Sequence, residues 1–394
     1  MASLIKRIAY KIARKKFVRG FDKFCANKKG RALVYFKTEE FMLHGFFQDF
    51  SHVNNWESYE ISRILNTLGF VVDIIDRTAT ISDIKKYIKD EYDIFIGIGA
   101  GDSGQYFSDI AERIPKAIKV LYAMGPEPDL SNRITKERHD YFRRRHPDIP
   151  IIDRRLITAV DTDRLYRNVD SIITIGNDFS YGSYLRLNKD LHKIFLSTYP
   201  ELFSIKEDIS LKNPKKFLYF GGNGNITKGL DLVLEVFEKR PDLELYIGAP
   251  SGEEDFNVFA NKIINKSPNI HNLGFVDVTS EKFINVTKEC AFVVLPSSSE
   301  GCATSVTTCM RRALIPIVTI EAGIDIGGFG ILVEDGTVEA VGDSIDKASK
   351  INKDEVIKRA EASYSESEKY THKSFSISVD KAIRGILHKH GFLI

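Results

Sequence analysis

Residues 216–240 read Lys216-Phe-Leu-Tyr-Phe-Gly-Gly-Asn-Gly-Asn-Ile-Thr-Lys228-Gly-Leu-Asp-Leu-Val-Leu-Glu-Val-Phe-Glu-Lys-Arg240. An apolar, aromatic run (Lys216 to Phe220) gives way to a turn of Gly221, Gly222, Asn223 and Gly224. Leu230, Val233, Leu234 and Phe237 then recur at helical spacing. The pattern predicts strand, tight turn and helix. Glycines at such a turn let the backbone approach a ligand, and the N–H groups of a helix start favour an anion. Lys228 stands where the helix dipole disfavours a cation, so a negative guest, a phosphate, is one reading. A solvated lysine beside glycines that only shape the turn is the other. Neither the GxxxxGK[ST] spacing nor the GxGxxG fingerprint is present.

The same grammar runs outward in both directions. Apolar runs at Ala32–Phe36, Phe70–Ile75, Asp93–Ile98, Ile118–Ala123 and Ser171–Ile175 alternate with helical stretches such as Glu57–Leu68 and Ile81–Lys89. A second series has strands at Lys216–Phe220, Leu243–Ile247, Asn269–Leu273, Ala291–Leu295, Ile315–Val318 and Ile331–Val333. Such alternation signifies mainly parallel sheets with helices on both faces. The chain of 394 residues accommodates two such units. The expected division is an N-terminal basic segment (1–30), a first Rossmann-like domain (31–200), a linker around Leu196–Pro214, a second Rossmann-like domain (214–355) and C-terminal helices (356–394) returning to the first domain. The charge-dense stretch 130–168, with Arg143, Arg144, Arg145, Arg154 and Arg155, reads either as an insertion over the site or as a solvated helix pair. In doubly wound sheets ligands bind outside the carboxyl ends of the strands, which places the glycine turn on the rim of an interdomain cleft.

A second corner lies on the same edge. The apolar strand Ala291–Leu295 runs into Pro296-Ser-Ser-Ser-Glu300-Gly301, and Thr304 to Leu314 can be helical. Glu300 can accept hydrogen bonds from several hydroxyls, as a sugar offers them, and the N–H groups at Thr304 and Ser305 can hold a phosphate. Ordinary helix capping explains the Ser and Thr residues equally well.

Taken together, GGNGNITKGLDLVLEVF (221–237) and FVVLPSSSEGCATSVTTCMRRALIPIVT (292–319) resemble the donor domain of nucleotide-sugar glycosyltransferases of GT-B architecture, in particular the retaining family four. SHVNNWESYEISRILNTLGFVVDIID (51–76) resembles, more weakly, a sugar-transferase opening unit. The resemblance implies two facing Rossmann-like domains and a transferase that moves a sugar from a nucleotide diphosphate to a glycan or lipid-linked acceptor with retention. It implies that Lys228 neutralises the donor diphosphate, that Glu300 holds sugar hydroxyls, and that Gly222, Asn223, Gly224, Gly301, Thr304 and Ser305 surround the donor. Two departures stand out. A second family glutamate, eight residues after the first, is Thr308 here, which leaves a ribose with one hydroxyl partner. The turn 221–225 also lacks the basic residue common there. These departures motivate a second reading, a nucleotide-sugar-binding or scaffold protein with impaired chemistry. Replacing Lys228 with Ala or Glu300 with Gln is expected to abolish transfer and leave the thermal melt nearly unchanged.

On the first domain, His52, Asn55, Gly99 (within the glycine-rich 96–104) and Glu127 (in 124–129) are candidate substrate contacts, with Asn55 as cap of a helix starting at Trp56 the competing account. Asp161-Thr-Asp163 has the form of a metal-binding DxD but follows no strand. No metal or cofactor is expected. Four scattered cysteines fit a reducing compartment, the cytoplasm. No apolar run reaches the ~20 residues of a membrane span, and no nucleic-acid module is visible. Residues 3–24 pair an apolar face (Leu4, Ile5, Ile8, Ile12, Phe17) with Arg7, Lys11, Arg14 and Lys15. Peripheral contact with an anionic inner membrane face, a helix packed on the body and a transit peptide are the three readings.

Overall fold

A computed structural model describes residues 15–43, 53–88, 91–99, 105–198 and 209–393. Two sheets organise them. The first has seven strands in the order β1-β3-β2-β4-β5-β6-β7: β1 (Phe17–Phe21), β2 (Gly30–Phe36), β3 (Phe70–Asp76), β4 (Ile94–Ile98), β5 (Ile118–Ala123), β6 (Ser171–Ile175) and β7 (Asp190–Ile194). All pairs are parallel except β1 with β3. The second has six strands, all parallel, in the order β10-β9-β8-β11-β12-β13: β8 (Asn213–Phe220), β9 (Glu244–Gly248), β10 (Ile270–Asn272), β11 (Cys290–Leu295), β12 (Ile315–Val318) and β13 (Ile331–Leu332). The inner strands are continuous apolar runs because helices cover both faces; every residue of β11 is buried.

The strand orders locate the site. In the first sheet β2 has β3 on one side and β4 on the other. In the second, β8 has β9 on one side and β11 on the other. Successive crossovers leave in opposite directions there, opening a crevice at the strands' carboxyl ends. The second crevice lies between the turns after β8 and β11. The two carboxyl edges also meet: Gly301, after β11, packs so tightly on Met124 and Gly176, after β5 and β6, that a Cβ on Gly301 would overlap the Met124 carbonyl oxygen. Asn177 Nδ2 donates to the Ile320 carbonyl at 2.8 Å, adding a polar tie across the junction.

The long helix Pro128–Arg145 and the segment after it resolve the charge-dense stretch. They leave the first sheet and dock on the second unit. Buried Arg138 donates to the Pro296 carbonyl at 3.0 Å, Arg145 pairs with fully buried Asp231, His146 Nε2 meets Glu235 at 2.8 Å, and Arg154 forks onto Asp255 at 2.7 and 2.6 Å. The C-terminal helix His372–Lys389 lies against β7 and the helix Val53–Thr67, with the His372 ring stacked on Trp56 at 3.7 Å.

Several expectations are corrected. Residues 17–21 form an edge strand instead of continuing a helix: Gly20 N donates to Asp73 at 2.7 Å, Phe17 stacks on Tyr87 and Phe21 packs against Phe41 and Tyr59, contacts an extended aromatic run makes better than a helix face. Residues 3–14 of the amphipathic pattern lie outside the described residues. Asn213-Pro214 opens β8 instead of ending a linker; the β9 ladder begins only at Lys216, so the missing proline N–H costs no bond on that side. The helix from Thr304 ends at Met310, and Ala313 adopts a left-handed φ of 57° beyond it. Asn55 lies inside a helix that begins at Val53, so it does not cap one starting at Trp56.

Candidate functional site

The turns after β8 and β11 are sewn together by backbone. Ser298 N donates to the Thr227 carbonyl at 2.8 Å, and the Ser297 and Ser298 hydroxyls reach the same oxygen at 3.3 and 3.1 Å. Lys228 N donates to the Gly224 carbonyl at 2.8 Å, and Glu300 N to that of Glu321 at 2.9 Å, which fixes where both side chains leave the main chain. The result brings Lys228 Nζ into direct contact with Glu300 Oε1. Ser297 Oγ donates to the same carboxylate oxygen at 3.4 Å, and Arg155 Nη2 lies 3.4 Å from Oε2.

Both members of the pair are nearly buried, with side chains 8% and 11% exposed. Burial pushes the Lys228 ammonium below its ordinary value, against the pull of Glu300. Burial by itself would raise Glu300, but Arg155 and Lys228 outweigh it and hold the carboxyl below the usual carboxylate range. Lys228 and Arg155 thus share Glu300, while the Glu253 carboxylate acts on Lys228 from the same turn. Two buried hydroxyls beside this centre, Tyr219 and Thr227, have no hydrogen-bond partner among the described residues.

The glycine turn departs from the expectation drawn from sequence. Gly224 N and Asn225 N donate to buried Glu253, the latter to Oε2 at 3.2 Å. A protein carboxylate fills that cradle. Gly222 and Asn223 form the exposed tip, and a Cβ on Gly222 would meet nothing within 4 Å. Gly224, at φ 93°, is required twice over: by its backbone, and because a Cβ would overlap Arg155 Cδ.

Other predicted residues divide. Thr304 and Ser305 are half-buried at a helix start where Ala303 supplies no side-chain cap. Gly301 is tightly enclosed by Met124, Gly176 and Gly323, so its missing side chain serves the junction between the two units. Thr308 is buried and donates its hydroxyl back to the Thr304 carbonyl at 2.6 Å, which leaves only the oxygen lone pairs for a ribose.

On the first unit, three of the residues read as substrate contacts are engaged within the protein. Asn55 is buried with its Oδ1 accepting from Lys37 at 2.8 Å. A Cβ on Gly99 would overlap Leu121, so this glycine faces packed apolar side chains. Glu127 is buried, caps its helix through Leu130 N at 3.1 Å, accepts from the Tyr166 hydroxyl at 2.9 Å and lies 3.3 Å from Arg186. His52 lies outside the described residues. Asp161 accepts from Arg164 N at 2.9 Å as a helix cap, a structural use for the DxD.

Two residues of the site escaped the sequence reading. Arg155 was visible only as one charge among many, and Glu253 only as an acid in the loop after β9. The faint signal for Glu253 is positional, since that loop neighbours the β8 turn through strand order.

Comparison with known proteins adds three findings. Residues 203–365 match the family described as "Glycosyl transferases group 1". No curated protein matches the chain by sequence. Among solved structures, the chain is similar to sucrose-phosphate synthase from Thermosynechococcus elongatus (TM-score 0.64, 12% identity, covering 91% of this chain and 100% of that one). It is also similar to Anabaena Alr3699/HepE in complex with UDP and glucose (TM-score 0.56, 12% identity, 91% and 100%). A third is the N-terminal domain of Candida albicans trehalose-6-phosphate phosphatase (TM-score 0.60, 11% identity, 95% and 100%). The shared architecture is GT-B, two facing doubly wound sheets.

Proposed function

We propose, from the match of residues 203–365 to the glycosyl transferases group 1 family, that the chain transfers a sugar from a nucleotide-diphosphate sugar to a glycan or lipid-linked acceptor, with retention. The observation that carries this reading is the meeting of Lys228 and Glu300 at the carboxyl ends of β8 and β11, within the reach of one nucleotide-linked sugar. The similar Anabaena protein, whose structure holds UDP and glucose, supports the kind of donor.

Breaking a glycosyl–diphosphate bond leaves negative charge on the departing phosphate and positive charge on the sugar ring. Lys228, nearly buried, stabilises the first far better than a solvated lysine would, because water does not screen it. Glu300 accepts hydrogen bonds from sugar hydroxyls and orients the ring. Lys228 supplies the charge a divalent metal supplies elsewhere, so transfer needs no metal.

Release of nucleoside diphosphate from a panel of nucleotide sugars, with and without glycan and lipid-linked acceptors, tests the function. Acceptor-dependent release that persists in excess EDTA is expected. A panel in which no nucleotide sugar binds would overturn the proposal. Glu253 in the turn's N–H cradle and Thr308 folded back on its own helix favour the second reading, a donor-binding protein without turnover; it is supported if donors bind and no acceptor releases product. The acceptor side extends to a membrane surface through the basic residues 3–14. Flotation with anionic vesicles of the full chain, but not of a chain starting at Lys15, is the expected result.

A further inference from the structure

Arg155 reaches the centre from outside the second unit's own turns. Its backbone holds a left-handed φ of 63°, a conformation that L side chains rarely adopt. Neighbours on the preceding residues keep it there. Arg154 forks onto Asp255, Ile152 N donates to the same carboxylate at 2.8 Å, and Arg143 pairs with Asp153. The segment is thus clamped to the second unit immediately before Arg155. The glycine turn is shaped to receive the side chain, since any residue larger than glycine at 224 would overlap its aliphatic stem.

Two cations converge on Glu300 at the tip, with Glu253 held behind them in the turn. Arg155 and Lys228 share one carboxylate, one cation on each oxygen of Glu300. Glu300 is the one ion-pair partner of Arg155 among the described residues. Lys228 is enclosed, whereas the Arg155 side chain is 38% exposed and its planar fork has further N–H groups to offer. An open guanidinium beside an enclosed ammonium, at the end of a turn whose own N–H groups are taken by Glu253, fits an anion with several oxygens. The turn itself brings no other basic residue, since 221–227 contain none.

We propose that Arg155 is a second diphosphate ligand, delivered to the donor site by the segment that follows the long helix and completing with Lys228 a two-cation clamp on the leaving group. This rests on the transferase reading of the Lys228–Glu300 centre. Arg155 contributes a directional, bidentate contact where Lys228 contributes a compact charge, so the two are not interchangeable.

Titration calorimetry of the full-length chain with inorganic pyrophosphate, and with a panel of nucleoside diphosphates, tests the assignment. The variants are Arg155→Ala, Arg155→Lys, Lys228→Ala and, as a charge control on the C-terminal helix, Arg384→Ala. Expected are a loss of about tenfold or more in pyrophosphate affinity for Arg155→Ala, a smaller loss for Arg155→Lys, and wild-type affinity for Arg384→Ala. Arg155→Ala binding pyrophosphate within about twofold of wild type, while Lys228→Ala loses it, overturns the clamp and leaves the transferase reading standing. Loss of affinity for nucleotide sugars without loss for pyrophosphate also overturns it, because Arg155 would then act only by orienting Glu300. A wild-type chain that binds no nucleoside diphosphate overturns the underlying reading as well.

Discussion

Glu300 holds together two cations that would otherwise repel each other in a nearly buried centre, and this makes the members of the triad unequal. Removing the carboxylate strands Lys228 beside Arg155 with no anion between them. Removing the ammonium leaves Glu300 still facing Arg155. Breaking a buried pair costs about 3–5 kcal/mol when the survivor is uncompensated. Glu300→Gln is therefore expected to lower the melting temperature more than Lys228→Ala, a larger effect than the sequence alone suggests. Chemical denaturation of both variants checks the order.

A second residue outside the centre governs pH dependence. Glu57 is fully buried between the Tyr122 hydroxyl at 3.2 Å and the Ser197 hydroxyl at 3.1 Å, and burial raises its carboxyl to about 7. The folded chain thus keeps a proton on Glu57 that the unfolded chain, at an ordinary value of about 4.3, has already lost. The stabilisation is complete below the unfolded value and is lost as pH rises through about 7, on the order of 3 kcal/mol across that window. Glu57→Gln should flatten this fall, so the variant's melting temperature gains on wild type between pH 5 and pH 8. Parallel pH slopes for the two proteins would refute the assignment.

At the scale of elements, the strand-to-helix corners were the legible part. Apolar runs bounded by Gly, Asn and Ser announced β8 and β11, because a strand covered on both faces leaves little freedom of composition. Short β7, with its polar Asp190, His192 and Lys193, gave no such signal, and β1 was hidden in a segment whose spacing also suits a helix. What the turns hold was less legible. Glu253 and Arg155 reach the site through contacts 29 and 145 residues distant in sequence, set by strand order and by a left-handed backbone, neither of which leaves a local pattern. Gly301 gives the element-level test. A methyl group there would strike the Met124 carbonyl and crowd Ile175, so Gly301→Ala should destabilise the chain by about 1–3 kcal/mol and depress transfer. Wild-type melting and turnover would show that the junction is looser than described.

Across the whole molecule, the helix Pro128–Arg145 starts beside the first sheet and ends bonded to the second unit. Arg145, paired with buried Asp231, and buried Arg138 tie the helix to the β8 and β11 turns. These ties make the helix part of the second unit's packing although both of its connections run to strands of the first sheet, β5 and β6. Asp231→Asn should then loosen the position of Arg155 without touching the centre. The expected result is a weakened donor affinity with a rate at saturating donor close to wild type, read from initial velocities. Equal loss in both parameters would place Asp231 in a different role.

The central claim is that the β8 and β11 turns grip different parts of a single donor. Its most direct test is calorimetric comparison of wild type and Glu300→Gln, each titrated with a nucleotide sugar and with the matching nucleoside diphosphate. Freed of its carboxylate, the cationic pair should bind the nucleoside diphosphate at least as tightly as wild type does, while the additional affinity contributed by the sugar disappears. If Glu300→Gln instead loses the nucleoside diphosphate and keeps the sugar's contribution, the roles assigned to the two turns are contradicted.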